Sequence, residues 1–215
     1  MGVLVYIESE ENKFKKTAYE ALSYGKALAD KMGSKVSGLV INCSDTDGLK
    51  KYGADKIITI DTPDFQKFSS KKYSHAIAEV IKSENSSVVI LSSSANSKFI
   101  GAHLSGITDA AYVSNVVGIP ESISPFVVKR TCFTNKAFSS TEMIDGLKII
   151  SVSSNSFGMI ENFNDSAVES FNPEKVDSNQ KIINIDIETG NITIADADIM
   201  LSAARALTGP DNCEM

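Results

Sequence analysis

Apolar positions in the first half of the chain alternate between two patterns. Val3 to Ile7 is a short continuous apolar run, which predicts a strand buried on both faces. Ala18, Ala21, Leu22, Gly25, Leu28, Ala29 and Met32 then recur at helical spacing, and Gly33 suits the left-handed stop of that helix. Thr17 stands three residues before Glu20, the spacing of a capping box at the helix start. Lys35 to Ile41 predicts a second strand and Asp47 to Tyr52 a short helical segment. Ile57 to Ile60 follows the Gly53-Ala54-Asp55-Lys56 turn as a third strand. Tyr73, Ile77, Val80 and Ile81 mark a second helix, and Val88 to Leu91 a fourth strand. Ser97 opens a helix carrying Phe99, Ile100, His103, Leu104 and Ile107. Such alternation implies a parallel sheet built by βαβ crossovers. The expected class is α/β: an open three-layer, Rossmann-like, mainly parallel sheet with helices on both faces.

The texture changes after about residue 112. Asn115 to Ile119, Phe126 to Cys132, Lys136 to Thr141 and Leu147 to Ser153 are strand-like, with little helical spacing between them. Thr134-Asn135 and Asp145-Gly146 are hairpin-type turns. Together these four segments predict an antiparallel extension at one edge of the sheet. Phe157 to Gln180 is polar and irregular and predicts a loop or crossing segment. Lys181 to Ile187 predicts another strand, Gly190-Asn191 breaks the pattern, and Ala197 to Leu201 resembles the start of a new strand. The expected organisation is one α/β scaffold domain over 1–190, followed by a linker and the first residues of another domain over 191–215.

The chain has 215 residues and a formal net charge of -6. That balance argues against a nucleic-acid or anionic-membrane surface, because both need clustered Lys and Arg. The three cysteines, Cys43, Cys132 and Cys213, are far apart and form no CxxC pair, so zinc has no support and free thiols in a reducing compartment are expected. No apolar run is long enough for a membrane span, and the N-terminus lacks the basic region of a signal peptide. A cytoplasmic location follows as an expectation.

Chemistry is sparse. In open α/β sheets, ligands bind outside the carboxyl ends of the strands. Ser92-Ser93-Ser94-Ala95-Asn96-Ser97 occupies such a position and leads into a helix whose free N–H groups could hold an anion. Those residues also serve simply as a turn and cap. Neither GxGxxG nor GxxxxGK[ST] is present. His75 and His103 are the only histidines and have no acidic residue at dyad spacing; His103 is expected to be partly buried and His75 solvated. GxSxG is absent, so nucleophilic hydrolysis lacks support. Lys129, Arg130 and Lys136 form a small basic group that reads as a solvated strand edge, or as a partner-docking group.

Several segments, in order, resemble the alpha subunit of electron-transfer flavoproteins. They are Val3 to Glu8, Tyr52-Gly53-Ala54-Asp55-Lys56-Ile57, Phe99 to Ser105, Lys129-Arg130-Thr131, Asn135-Lys136-Ala137 and Val152 to Phe157. Ala197-Asp198-Ile199-Met200-Leu201-Ser202-Ala203-Ala204-Arg205-Ala206-Leu207-Thr208-Gly209-Pro210-Asp211-Asn212 is similar to that family's "ADIVVSGGRGL..GPEN". The family's glycines stand here as Ala203, Ala204 and Ala206, while Arg205 is retained. The resemblance implies the amino-terminal part of an alpha subunit, stopping where the FAD-binding domain should begin. It implies an electron carrier, not an enzyme with its own substrate. FAD would belong to the full-length protein and none would be retained by this segment, with Arg205 its one carried-over contact. The implied partners are the electron-transfer flavoprotein beta subunit, acyl-CoA or other flavin dehydrogenases, and a quinone or ferredoxin-type acceptor. No nucleic acid or membrane insertion is implied. An exposed apolar surface should mark the beta-subunit dock. The alternative is a stand-alone adenine-nucleotide-binding domain of the universal-stress type, with the serine-rich loop holding phosphates.

Overall fold

The computed structural model describes residues 2–10, 12–180 and 182–185. The chain divides into a unit of Met1–Gln180 and a smaller one of Lys181–Met215. The first unit carries β1 (Gly2–Ile7), β2 (Ser9–Glu10), β3 (Lys13–Phe14), α1 (Lys16–Met32), β4 (Val36–Ile41) and β5 (Lys56–Ile60). It continues with α2 (Ser70–Glu84), β6 (Ser86–Ser92), α3 (Ala95–Thr108), β7 (Ala111–Val116) and β8 (Ser122–Ile123). The last elements are β9 (Phe126–Cys132), β10 (Ala137–Met143), β11 (Lys148–Val152) and β12 (Ala167–Ser170). Short 3-10 turns cover Asp47–Lys51 and Pro63–Phe65.

Ten strands form the main sheet in the order β10-β9-β7-β11-β6-β1-β4-β5-β12, with β8 paired to β9. From β7 to β12 every pairing is parallel. β8, β9 and β10 supply the antiparallel part. Continuous apolar runs form the central strands because both faces are covered. On one face, α1 packs Ala21, Leu22, Tyr24 and Leu28 over Val3, Val5, Ile7 and Val40. On the other, α2 and α3 bring Ile77, Val80, Ile100 and Leu104 over Leu4, Leu39, Ile58 and Val89. Each fully buried Val, Leu or Ile among them contributes ~1.5–3 kcal/mol relative to exposure. The expected three-layer α/β class holds.

α1 runs directly on β1 because Gly25 has no side chain: a Cβ there would stand 2.3 Å from Val5 Cγ2. The helix stops at Gly33, in the left-handed region with φ 61°, whose N–H is donated to Ala29 and Asp30 carbonyls. Its start differs from expectation. No side chain caps it at Lys15, and Glu20 is turned away into a different task described below.

Further expectations are corrected. β11 is not part of the antiparallel extension; it inserts in parallel between β6 and β7. Asp145-Gly146 therefore joins two strands that are not neighbours and is no hairpin turn, whereas Thr134-Asn135 does close the β9–β10 hairpin. The strand expected at Asn115 lies earlier, over Ala111–Val116, and Asn115 itself has φ 58°, which interrupts regular pleating near its end. The stretch expected to be a loop contains β12, which pairs with β5 although all four of its residues are exposed. On α3, Phe99 and Ile107 are exposed, so the apolar stripe there is narrower than its sequence suggests. Residues 182–185 of the expected strand at Lys181 are irregular, and the remainder of that segment lies outside the described residues. The expected boundary at 190, the segment from Ala197 and Arg205 also lie outside them.

Candidate functional site

β1 lies between β6 and β4 in the sheet. The chain runs outward from β1 through β4 to β5, then crosses back to β6 on the other side of β1. That reversal is a topological switch point, and the crevice outside the carboxyl ends of β1 and β6 is where such sheets bind ligands. Glu8 follows β1 there, and the Ser92 to Ser97 loop follows β6.

The crevice is internally satisfied. Ser92 Oγ donates to Glu8 Oε2 at 3.1 Å and Ser97 Oγ to the same oxygen at 3.4 Å. Asn96 Nδ2 donates to Glu8 Oε1 at 3.4 Å. Ser94 caps α3 by accepting the Ser97 N–H at 3.0 Å. Ser93 Oγ donates to the Val152 carbonyl at 2.6 Å, and Ser151 Oγ to the Ser92 carbonyl at 2.8 Å, tying the loop to β11. The chain's own carboxylate thus sits at the start of α3, where the helix dipole favours an anion. A phosphate brought to this place would meet Glu8 as a like charge. The serine-rich loop is the right place in the fold with the wrong electrostatics for a nucleotide.

A second carboxylate does similar work on the opposite face. Glu20 is buried on α1 and accepts backbone N–H groups from Asn155 at 2.8 Å, Phe157 at 2.8 Å and Gly158 at 2.9 Å. Three converging N–H groups are an anion-binding nest, and it too is filled from within. Asn155 at φ 57° and Gly158 at φ 87° are the left-handed residues that turn the loop around the carboxylate. Ser23, three residues along α1, accepts the Ile160 N–H at 3.0 Å and extends the clasp.

Two buried phenols, Tyr6 and Tyr73, lie within electrostatic reach of Glu8 without offering chemistry. Burial pushes Tyr73 up to about 12, with Glu8 adding to the shift, and its hydroxyl donates to the Phe65 carbonyl at 2.9 Å. Tyr6 is raised well above the usual phenol range, chiefly by burial and then by Tyr73 and Glu8. Tyr24 is also raised by burial and donates to the Gly118 carbonyl at 3.0 Å. All three stay neutral near pH 7.

The other residues singled out in the sequence are scattered. His75 and His103 face each other across α2 and α3, ring centroids 6.3 Å apart and planes at 76°, and both are half-buried. His75 is thus less solvated than expected. Cys43 is buried and its thiol is pushed up by desolvation; Cys132 is partly exposed, and Cys213 lies outside the described residues. Among the described residues, no three His, Cys, Asp or Glu side chains could hold a metal ion. Lys129 Nζ lies 4.6 Å over the Phe138 ring, Arg130 reaches Ser114, and Lys136 is exposed in the hairpin turn. No described helix is long and apolar enough to cross a membrane.

Fold and site together define a doubly wound α/β domain of nucleotide-binding topology, with its ligand position filled by its own carboxylate. The chain belongs to the electron-transfer flavoprotein family: the model of the electron transfer flavoprotein domain matches residues 3–177. It is 30% identical over 92 residues to the acryloyl-CoA reductase electron transfer subunit beta of Anaerotignum propionicum, 41% of this chain and 25% of that protein. It is 22% identical over 211 residues to the electron transfer flavoprotein subunit alpha of Bacillus subtilis, 95% of this chain and 64% of that protein. The alpha subunit of Thermoanaerobacterium thermosaccharolyticum is 22% identical over 222 residues, 97% of this chain and 66% of that protein. The chain therefore spans between a quarter and two thirds of the length of these relatives. The family is one of flavoproteins that carry electrons rather than of catalysts with their own substrates. The universal-stress alternative is not favoured.

The described residues do not fit the flavin dinucleotide that the family implies. Its pyrophosphate needs free N–H groups at a helix start or nest. In the nest the N–H groups are taken by Glu20, and at the start of α3 the Ser97 N–H is taken by Ser94 while the Glu8 carboxylate stands among the Ser92, Asn96 and Ser97 side chains, where it would repel a pyrophosphate.

Proposed function

We propose that this chain is the amino-terminal scaffold of an electron-transfer flavoprotein alpha subunit, working in a heterodimer with a beta subunit. The observation that carries this reading is the family match across the α/β unit, joined to a switch-point crevice plugged by Glu8. A scaffold can dispense with a cofactor site of its own; a stand-alone nucleotide-binding domain cannot. The scaffold spans residues 1–190, and the residues after it, Arg205 included, open the flavin-binding part of the full-length protein. A fixed arginine cation there would stabilise negative charge on a reduced flavin. FAD belongs to that full-length protein and is not retained by the 215-residue chain. Electrons would arrive from a flavin dehydrogenase and leave to a quinone or ferredoxin-type acceptor, in the cytoplasm.

Docking of a beta subunit is supported by exposed apolar side chains that burial would otherwise have claimed. Phe133, Phe138 and Ile144 are 80%, 63% and 77% exposed on and beside the β9–β10 hairpin. Gel filtration of the chain after mixing with FAD tests the cofactor reading. Flavin-free protein is expected, and stoichiometric yellow protein would overturn it.

A further inference from the structure

The main sheet ends at β10 on one side and at β12 on the other. The two edges are built differently. β12 is four residues long and its Glu169 is held by Lys56 at 2.8 Å, so a short, charged strand guards that side. β10 runs for seven residues, Ala-Phe-Ser-Ser-Thr-Glu-Met, with one charge and no proline. Its register with β9 is unbroken from Ala137↔Cys132 to Met143↔Phe126, so no bulge twists it out of line. Every second residue of an antiparallel edge strand turns its N–H and C=O outward, and β10 has no strand on that side among the described residues. Such a row is a template for another strand.

The side chains of β10 are complementary to those of a second β10 turned end for end. A two-fold axis through Ser140 sets Phe138 opposite Glu142 of the second copy, and Ser139 opposite Thr141 of the second copy, each pair on one face of the sheet. Phe138, Ser140 and Glu142 form the exposed face of the strand, with Phe138 63% exposed. Lys129, opposite Ser140 on β9, leans over Phe138 with its Nζ 4.6 Å from the ring centre. It is thereby turned toward the place that Glu142 of the second copy takes in this register, and the symmetry supplies that charge pair twice. Within the chain, neither Lys129 nor Glu142 forms an ion pair among the described residues.

We propose that two copies of this chain pair antiparallel through β10, forming a two-fold dimer whose sheet runs on across the axis. The pairing belongs to the chain without a beta subunit and does not rest on that docking reading; a beta subunit seated on Phe138 would compete with the second copy. Sedimentation velocity of the 215-residue chain alone should show a concentration-dependent dimer, with a dissociation constant on the order of 1–100 µM for so small an interface. Amide exchange should slow at alternate residues of β10 as the dimer forms. Glu142→Lys and Lys129→Glu each set like charges together and should weaken dimerisation about tenfold. The chain carrying both substitutions has opposite charges again and should dimerise within about threefold of the native chain. Ser140→Lys, which places two lysines at the axis, should weaken dimerisation likewise and serves where Glu142→Lys does not fold. A chain that stays monomeric up to about 500 µM, or a dimer whose β10 amides exchange as in the monomer, would overturn the proposal. So would native dimerisation in the singly substituted chains, or a doubly substituted chain as weak as the single ones.

Discussion

Replacing Glu20 with Ala removes the one acceptor shared by three backbone N–H groups. The bonds from Asn155, Phe157 and Gly158 measure 2.8, 2.8 and 2.9 Å, and the carboxylate is buried on α1. A hydrogen bond to a charged group contributes ~1.5–3 kcal/mol net, and an orphaned buried donor costs ~1–3 kcal/mol. The three bonds share one acceptor and are not additive, and Asn155 and Gly158 sit in exposed residues where water can partly replace it. A loss of about 3 kcal/mol is therefore expected, a large part of a typical stability of ~5–15 kcal/mol. Glu20→Gln keeps one acceptor oxygen but turns an NH2 toward the nest, so about 2 kcal/mol should be lost. Urea unfolding followed by circular dichroism gives the stability difference. Amide hydrogen exchange at 155, 157 and 158 shows whether the loss is local to the nest. A change below about 1 kcal/mol in Glu20→Ala, with unaltered exchange at those three amides, would refute the clasp.

Three further outcomes follow from the same geometry. Gly25→Ala should destabilise by about 1–3 kcal/mol in thermal or urea unfolding, despite alanine's better helix propensity, because the new methyl overlaps Val5 Cγ2 at 2.3 Å. Glu8→Ala should cost about 1–2 kcal/mol by urea unfolding, since Asn96 and the Ser92–Ser97 hydroxyl pair lose their shared acceptor. Tyr73 is raised to about 12 in the folded chain against ~10 unfolded, so its contribution is complete below ~pH 10. Between there and about 12 the unfolded chain loses the proton first, and stability should fall by up to ~1.4 kcal/mol per pH unit. Tyr73→Phe should flatten that slope in unfolding measurements across the same range; an unchanged slope would count against the assignment.

Local pattern carried the central sheet. Val3–Ile7, the Ala18–Met32 stripe, Ile57–Ile60 and Val88–Leu91 each signal one element by its own periodicity, and each element formed. What local pattern cannot carry is which strand a strand meets. Lys148–Val152 is as apolar as a hairpin strand would be, but it is buried on both faces between β6 and β7, far from its sequence neighbour β10. β12 was hidden because its four residues are exposed and its place is fixed by backbone pairing to β5. The serine-rich loop was legible as a crevice position, since strand alternation alone locates the carboxyl end of β6. Its filling by Glu8 was not, because the two segments are 84 residues apart in sequence. A signal existed for Glu20: a carboxylate lodged among Ala18, Ala21, Leu22 and Tyr24 on the packed stripe of α1 needs a buried partner. The capping-box spacing with Thr17 drew it to the wrong one.

The central claim is that this chain is a scaffold that joins a beta subunit and leaves flavin to the rest of the full-length protein. Native mass spectrometry of the 215-residue chain mixed with FAD and the electron-transfer flavoprotein beta subunit from the same source tests both halves at once. A 1:1 complex of the two polypeptides, with the chain alone flavin-free, is the expected result. A chain that ignores the beta subunit and carries one FAD by itself would contradict the account.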